Sequence, residues 1–450
     1  MLSGAGVIQG LDARDSSVST SGLFQALTYQ AGLSGGGWLL TSLAGNNYPT
    51  ITSLSNELWK EAIRDSLLDP EFLLAAVAYA EIVDDVASKD LAGYDSTIVD
   101  IYGRLLGYQL YSQTDGGAGV TLSSITGFSN WTSHAAPYPI ITSLGVKVWE
   151  GECLPGPNAT TYEFSPYEFG SWDSDISAFT PTQYLGTSLN NGKTTNSCTT
   201  NFDNIGLVAG TSSNLFSELC TDLPAPENST TDLTATLESL LDDIHEVAFS
   251  DEYAQYPNPF YNYQSSTQVP NSANNVSAQQ TLSLVDGGLA LQNNPIFPFL
   301  QPTRNISVII VNDNSADTSY NWPNGSEILT TYVQSFNHNL TRMPYIPPVE
   351  TFIAEGLNQR ATFFGCNDTS KVTIVYLPNY NYTFASNTST SQLVYPEAET
   401  TSMIANGVQI ASQGGKAGWA TCLGCALMMK TGQALASNCT ACFEEYCYYQ

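Results

Sequence analysis

Charge is what this 450-residue chain has least of. Only 12% of its residues are Asp, Glu, Lys or Arg, about half the usual share of ~25%. Basic residues are scarcer still: 13 Lys and Arg stand against 42 Asp and Glu, a formal net charge of −29 at pH 7. A chain so acidic is repelled by phosphate backbones, which excludes nucleic-acid binding as a main activity. It is also repelled by strongly anionic membranes. Long apolar runs are missing. The best stretch, residues 72–80, stops at Glu81 and is about half the length that a membrane span needs. The opening Met1-Leu-Ser-Gly-Ala-Gly6 has neither the basic start nor the apolar core of a signal peptide. Histidine is rare, with His134, His245 and His338 the only three.

What is present points to a folded protein from an oxidising compartment. Hydrophobic residues make up 42% and aromatics 11%, enough apolar side chain to exclude a wholly disordered chain. Solubility comes from uncharged Ser, Thr and Asn, which suits acidic surroundings where carboxylates are partly neutralised. Nine cysteines (Cys153, Cys198, Cys220, Cys366, Cys422, Cys425, Cys439, Cys442 and Cys447) suggest disulfides. Their odd number leaves one thiol free, or its partner in sequence beyond these residues. Eleven N-x-[ST] sequons occur, at Asn130, Asn158, Asn228, Asn275, Asn305, Asn324, Asn339, Asn367, Asn381, Asn387 and Asn438. Random order of this composition gives roughly seven, so the excess adds modest support for secretion.

No repeat period appears, and no long Pro- or Gly-rich linker divides the chain. Residues 194–200 and 379–391 are short polar stretches that read as surface loops. Asp69-Pro70-Glu71 predicts a helix start, with Asp69 as N-cap and Pro70 at the first helical position. Residues 56–68 and 96–111 carry apolar side chains at helical spacing. Residues 233–249 predict an amphipathic helix with Leu237, Leu240, Leu241, Ile244 and Val247 on one face. Residues 281–285, 306–311 and 372–377 are short β-branched runs bounded by turn residues, as in buried parallel strands. Helices early and strands later predict one α/β domain over residues 1–450 with large insertions, ending in a Cys-rich segment at 418–450.

Gly32-Leu33-Ser34-Gly35-Gly36 matches G-x-S-x-G. A serine thrown out on a sharp strand-to-helix turn needs flanking glycines, because a Cβ clashes there. The helix that follows offers backbone N–H groups to an oxyanion, beginning with that of Gly35. Chain order permits a Ser34–Asp286–His338 triad of the α/β-hydrolase kind, but that fold builds several strands before its nucleophile. The residues preceding Ser34 leave no room for them. Asp286 ends a predicted strand and is followed by Gly287-Gly288. A carboxylate at the C-terminal end of a strand points into the crevice where α/β proteins place ligands. Together Ser34 and Asp286 suggest a dyad in which burial raises the proton affinity of the carboxylate enough for it to take the serine proton.

On these residues and on further blocks the chain resembles the fungal lysophospholipase, or phospholipase B, family, relatives of the cytosolic phospholipases that use a Ser–Asp dyad. The blocks run from Ala31-Gly-Leu-Ser-Gly-Gly-Gly-Trp38 through Glu168-Phe-Gly-Ser-Trp-Asp173, Tyr184-Leu-Gly-Thr187, Asn201-Phe-Asp-Asn204 and Gly210-Thr-Ser-Ser213 to Leu284-Val-Asp-Gly-Gly288. They continue with Gln292-Asn-Asn-Pro295, Asn314-Ser-Ala-Asp317, Trp322-Pro-Asn-Gly325, Phe363-Phe-Gly-Cys366 and the Cys-rich end. The resemblance implies Ser34 as nucleophile and Asp286 as its partner, acting on fatty-acyl esters of lysophospholipids and diacyl phospholipids through an acyl-serine intermediate. It implies no metal or organic cofactor, no protein partner, transient contact with lipid aggregates or a membrane surface, and a secreted or cell-wall glycoprotein. The fold it implies is patatin- or cytosolic-phospholipase-like: a central, mostly parallel sheet flanked by helices, with a cap over the lipid site.

Two departures from the family pattern stand out. Family members carry a Gly-rich segment with an arginine just before the stretch that is here residues 1–6, so the expectation is that Met1 is internal to a longer protein. The oxyanion strand and loop, the Arg and a tenth Cys would then lie upstream. Leu289 and Ala290 stand where acidic residues are usual. The chain ends Cys447-Tyr-Tyr-Gln450 without an apolar GPI-attachment tail, so plain secretion is expected over anchoring. Two competing readings follow. Cys422-x-x-Cys425 and Cys439-x-x-Cys442 have the spacing of a zinc site, though Cys447 and the resemblance favour disulfides, with connectivity left open. A catalytically dead secreted glycoprotein is the non-enzyme alternative.

Overall fold

The computed structural model describes residues 1–66, 75–217, 238–239, 241–244, 249–264 and 275–449. The predicted helix start at Asp69-Pro70 and ten of the 17 residues of the predicted 233–249 helix lie outside these residues.

The main sheet is built from Tyr29–Gly32 (β1), Tyr138–Val146 (β2), Thr161–Phe164 (β3), Glu168–Ser171 (β4), Ala178–Pro181 (β5), Ala254–Pro257 (β6) and Thr281–Asp286 (β7). Its order is β5-β4-β3-β2-β7-β6, with β1 also paired to β2. A second sheet holds Val308–Asp313 (β8), Thr362–Phe364 (β9) and Thr373–Pro378 (β10) in the order β8-β10-β9. The expected α/β class stands, but the expected mostly parallel sheet does not. Among the described residues, β1–β2 and β8–β10 are parallel and the other seven of nine pairings are antiparallel. Of the three apolar runs that suggested parallel strands, β8 and β10 do pair parallel with each other, whereas β7 is antiparallel to both of its neighbours. The near-continuous burial of β7 is indifferent to strand direction.

Helices cover this framework. Ile98–Leu110 starts at Thr97, whose side chain closes a capping box with Asp100; Lys89 pairs with the same carboxylate at 2.7 Å. Leu2–Leu11 (α1) crosses Glu397–Ser412 at backbone contact, because a Cβ on Gly6 would stand 2.0 Å from the Ile404 carbonyl oxygen. The predicted 56–68 helix is the later part of a helical run that begins at Ile51, capped by Thr50, and reaches Asp65. The polar stretch at 379–391 is a loop, but it is anchored: buried Asn406 accepts backbone N–H groups from Tyr382, Thr383 and Phe384.

The Cys-rich end forms two helices, Trp419–Met428 and Cys439–Tyr446, stapled by Cys422–Cys442 and Cys425–Cys439, with Cys366–Cys447 tying them to β9. Loops of this size contribute roughly 3–4.5 kcal/mol each by the chain-entropy model. The zinc reading is thereby excluded, since all four of its thiols are consumed in disulfides. Cys153 is also disulfide-bonded, and Cys198 is an exposed free thiol.

Candidate active site

Strand β2 brings the two sequence-predicted residues together. β1 lies parallel along its first half, with Gly32 opposite Ile141. β7 lies antiparallel along its second half, with Asp286 opposite Ser143. The other edge of β2 is taken by β3 over Ile141–Leu144, so β1 and β7 share one edge and run toward each other. They stop on either side of Thr142. Gly287 fits into this meeting point because it has no side chain: a Cβ there would stand 2.8 Å from Leu33 Cβ and 2.9 Å from the Thr142 carbonyl oxygen.

Ser34 sits on a strained turn between β1 and Gly35–Gly45 (α2), with φ 51° and ψ −128°. A non-glycine residue in such a region costs about 1–3 kcal/mol and persists where its surroundings enforce it. Two bonds enforce it here. The Gly36 N–H closes the turn onto the Leu33 carbonyl at 2.8 Å, and the Trp38 N–H bonds the Ser34 carbonyl at 3.1 Å. A Cβ on Gly32 would lie 2.5 Å from the Gly36 oxygen, so the first glycine of the motif is needed for the turn to close. The Gly35 N–H opens α2 and has no backbone acceptor among the described residues.

The helix Ile205–Ser212 clamps both halves. The Ser212 carbonyl accepts the Ser34 N–H at 2.8 Å and the Gly287 N–H at 3.4 Å, while the Asn214 carbonyl accepts the Asp286 N–H at 3.0 Å. Ser212 Oγ in turn donates to the Thr142 carbonyl at 2.8 Å. Next to it, Ser213 Oγ takes the Trp38 indole N–H at 2.7 Å and meets the Tyr102 hydroxyl at 3.2 Å. Asp286 is buried, 2% exposed, and its Oδ1 accepts the Gly288 N–H at 2.7 Å. Burial pushes the Tyr102 hydroxyl pKa up, and the Asp286 charge adds to the shift. The clamp residues escaped composition and spacing arguments. Their one sequence signal is the Gly210-Thr-Ser-Ser213 block.

With this geometry in hand, the comparisons decide the family. The family model described as "Lysophospholipase catalytic domain" matches residues 1–450. The chain is 39% identical over 482 residues to Lysophospholipase 1 of Aspergillus fumigatus, covering all of this chain and 74% of that protein. It belongs to the lysophospholipase catalytic-domain family. A lysophospholipase of Arthroderma benhamiae is likewise 39% identical over 485 residues, covering all of this chain and 73% of the relative. In fold the domain resembles human GIVD cytosolic phospholipase A2, with TM-score 0.71 at 16% identity, over 95% of this chain and 61% of that one.

His338 is not brought to Asp286 as the triad reading requires. Its Nδ1 pairs with Asp173 Oδ1 at 3.3 Å and its ring stands edge-on to Phe297. His134 is exposed, and His245 lies outside the described residues. Asn158, Asn275, Asn305, Asn339, Asn367, Asn381 and Asn438 are exposed; Asn130, Asn324 and Asn387 are half-buried, and Asn228 lies outside the described residues. Ala290 is packed with Leu144, Val146, Tyr253 and Val285, which explains why an apolar residue is accommodated where an acidic one was expected. Among the described residues no group of three or more His, Cys, Asp or Glu side chains could hold a metal ion.

Proposed function

We propose that this lysophospholipase domain hydrolyses fatty-acyl esters of lysophospholipids and diacyl glycerophospholipids, with Ser34 as nucleophile and Asp286 as its base. The observation that carries the reading is the shared edge of β2, along which a strained serine turn and a buried aspartate converge under one clamp, the Ser212 carbonyl. As Ser34 Oγ attacks the acyl carbon, its proton passes to the Asp286 carboxylate. The oxyanion that forms is met by the Gly35 N–H at the start of α2, where the helix dipole favours negative charge. Collapse of the tetrahedral species breaks the ester C–O bond, and Asp286 returns the proton to the departing glycerol oxygen. Water then attacks the acyl-serine, giving up its proton to Asp286. The fatty acid leaves, and the proton goes back to Ser34.

The names of the sequence relatives, lysophospholipases all, support the lipid substrate class, and a lipid substrate of this kind implies transient contact with lipid aggregates. One solved relative of the same fold is a complex with methyl gamma-linolenyl fluorophosphonate, a fatty-acyl probe of the kind suited to a nucleophilic serine. The disulfides and the seven exposed sequons support secretion or residence in the cell wall. A fluorophosphonate probe tests the dyad. Label is expected on Ser34, absent in Ser34→Ala, and slowed about 10²-fold or more in Asp286→Ala. Labelling that needs His338 as well as Asp286 overturns the dyad in favour of the triad. Absence of both labelling and turnover points to a non-catalytic glycoprotein.

A further inference from the structure

The turn that follows Asp286 is held from outside the sheet. Its first bond, Gly288 N–H to Asp286 Oδ1, orients the carboxylate. Asn293 folds back over that glycine, its Oδ1 standing 2.7 Å from the place a Gly288 Cβ would occupy. The far end of the turn is tied down by acids. The Asn293 N–H donates to Glu327 Oε2 at 2.7 Å, and Asn293 Nδ2 donates to Ser315 Oγ at 3.3 Å. Ser315 Oγ donates to Asp313 Oδ1 at 2.5 Å, and the Tyr376 hydroxyl donates to Asp313 Oδ2 at 2.7 Å. Glu327, in the first turn of the helix Ser326–Asn337, also hydrogen-bonds the Asp317 carboxyl.

A hydrogen bond between two carboxyl groups needs a proton between them, because two bare carboxylates repel. The local field favours keeping it. The charged groups acting on Glu327 are Asp317, from the loop after β8, and Asp313, from the end of β8. Tyr376, from β10, faces Asp313 as a neutral donor. Burial first, and then these negative neighbours, push the Glu327 carboxyl up to about 8 against the opposing pull of the Asn293 N–H, which favours the charged form. Burial and Asp313 push Asp317 up to about 6.

We propose that Glu327 is a positioning residue for Asp286: sharing one proton with Asp317, it holds the Asn293 N–H and thereby the turn from Asp286 to Asn293. Loss of that proton drives the two carboxylates apart and loosens the turn that orients the base. The proposal rests on Asp286 being the base, and the experiment separates the two claims. Turnover of lysophosphatidylcholine is measured from pH 4 to pH 9, with kcat and KM resolved, for the wild type, Glu327→Ala, Glu327→Gln and Asp286→Asn.

The wild-type kcat is expected to decline as pH rises through about 8. Glu327→Ala loses about ten- to a hundredfold in kcat at pH 5 with KM unchanged, the scale of a misplaced catalytic group. Glu327→Gln keeps the acceptor for Asn293 and a donor for Asp317, so it recovers most of that loss. Having no proton to lose, it also moves the alkaline decline up by a pH unit or more. Superimposable alkaline limbs in wild type and Glu327→Gln overturn the proposal, and this arm decides even where Glu327→Ala fails to fold. Asp286→Asn is expected to be inactive at every pH. Full activity in that variant overturns the base assignment whatever the Glu327 variants do.

Discussion

Adding a single methyl group at Gly287 tests whether the junction of β1 and β7 governs the chemistry. In Gly287→Ala the new Cβ would stand 2.8 Å from Leu33 Cβ and 2.9 Å from the Thr142 carbonyl oxygen, against the 3.4 Å at which ordinary contact begins. Relief requires a shift of about 0.5–0.6 Å. Thr142 belongs to β2, which is paired on both edges, so the yielding side is the Leu33–Ser34 turn. Overpacking of this kind costs about 1–3 kcal/mol in stability. A 1 Å misplacement near reacting groups costs about 10²-fold, so half that displacement lowers kcat about tenfold. The assay is steady-state hydrolysis of lysophosphatidylcholine with the rate of fluorophosphonate labelling, alongside a melting curve. Both rates are expected to fall together while KM holds. Gly119→Ala is the control: a Cβ there meets nothing within 4 Å, and its kcat should match the wild type. A Gly287→Ala enzyme with wild-type kcat and labelling rate would refute the idea that this junction sets the distance between Ser34 and Asp286.

Stability should fall as pH rises. Glu327, Glu252 and Asp317 bind protons more tightly in the folded chain, at about 8, 7 and 6, than at their ordinary values near 4. Their contribution is therefore complete below about pH 4 and is lost progressively up to about pH 8. The Tm is expected to be a few degrees lower at pH 8 than at pH 5; a higher Tm at pH 8 contradicts the assignment. Sequon use should follow the side-chain amide. Asn130 Nδ2 donates to the Asn47 carbonyl at 2.7 Å, so Asn130 should remain bare while exposed sites such as Asn158 and Asn367 carry glycan. Peptide mass spectrometry before and after glycosidase treatment reads this directly, and full occupancy at Asn130 would refute it.

The serine turn was legible because its physics is local. Four glycines within six residues, a strand behind and a helix ahead are all written between residues 29 and 45. Asp286 was legible for the same reason, as the last residue of an apolar run before Gly287-Gly288. Strand direction was not, since the pairing of β7 with β2 depends on residues more than a hundred positions apart. The acid pair was hidden more deeply. Asp317 lies in a loop and Glu327 on a helix, both well separated from Asn293, and neither pattern nor spacing marks a carboxyl that is kept protonated.

Histidine 338 shows why chain order alone misleads. Ser34, Asp286 and His338 follow the sequence order of an α/β-hydrolase triad. The helix Ser326–Asn337 carries Glu327 in its first turn and His338 as its C-cap. At 1.5 Å per residue those two positions lie about 16 Å apart along the helix axis. The Glu327 end holds the turn after Asp286 through Asn293, whereas the His338 end meets Asp173 at 3.3 Å. The same helix therefore brings an acid to the site and carries its histidine away from that end. His338→Ala should accordingly cost stability through the lost Asp173 pair while leaving fluorophosphonate labelling of Ser34 at the wild-type rate. Loss of labelling in a folded His338→Ala protein would return the histidine to the chemistry and remove Asp286 from the role of base.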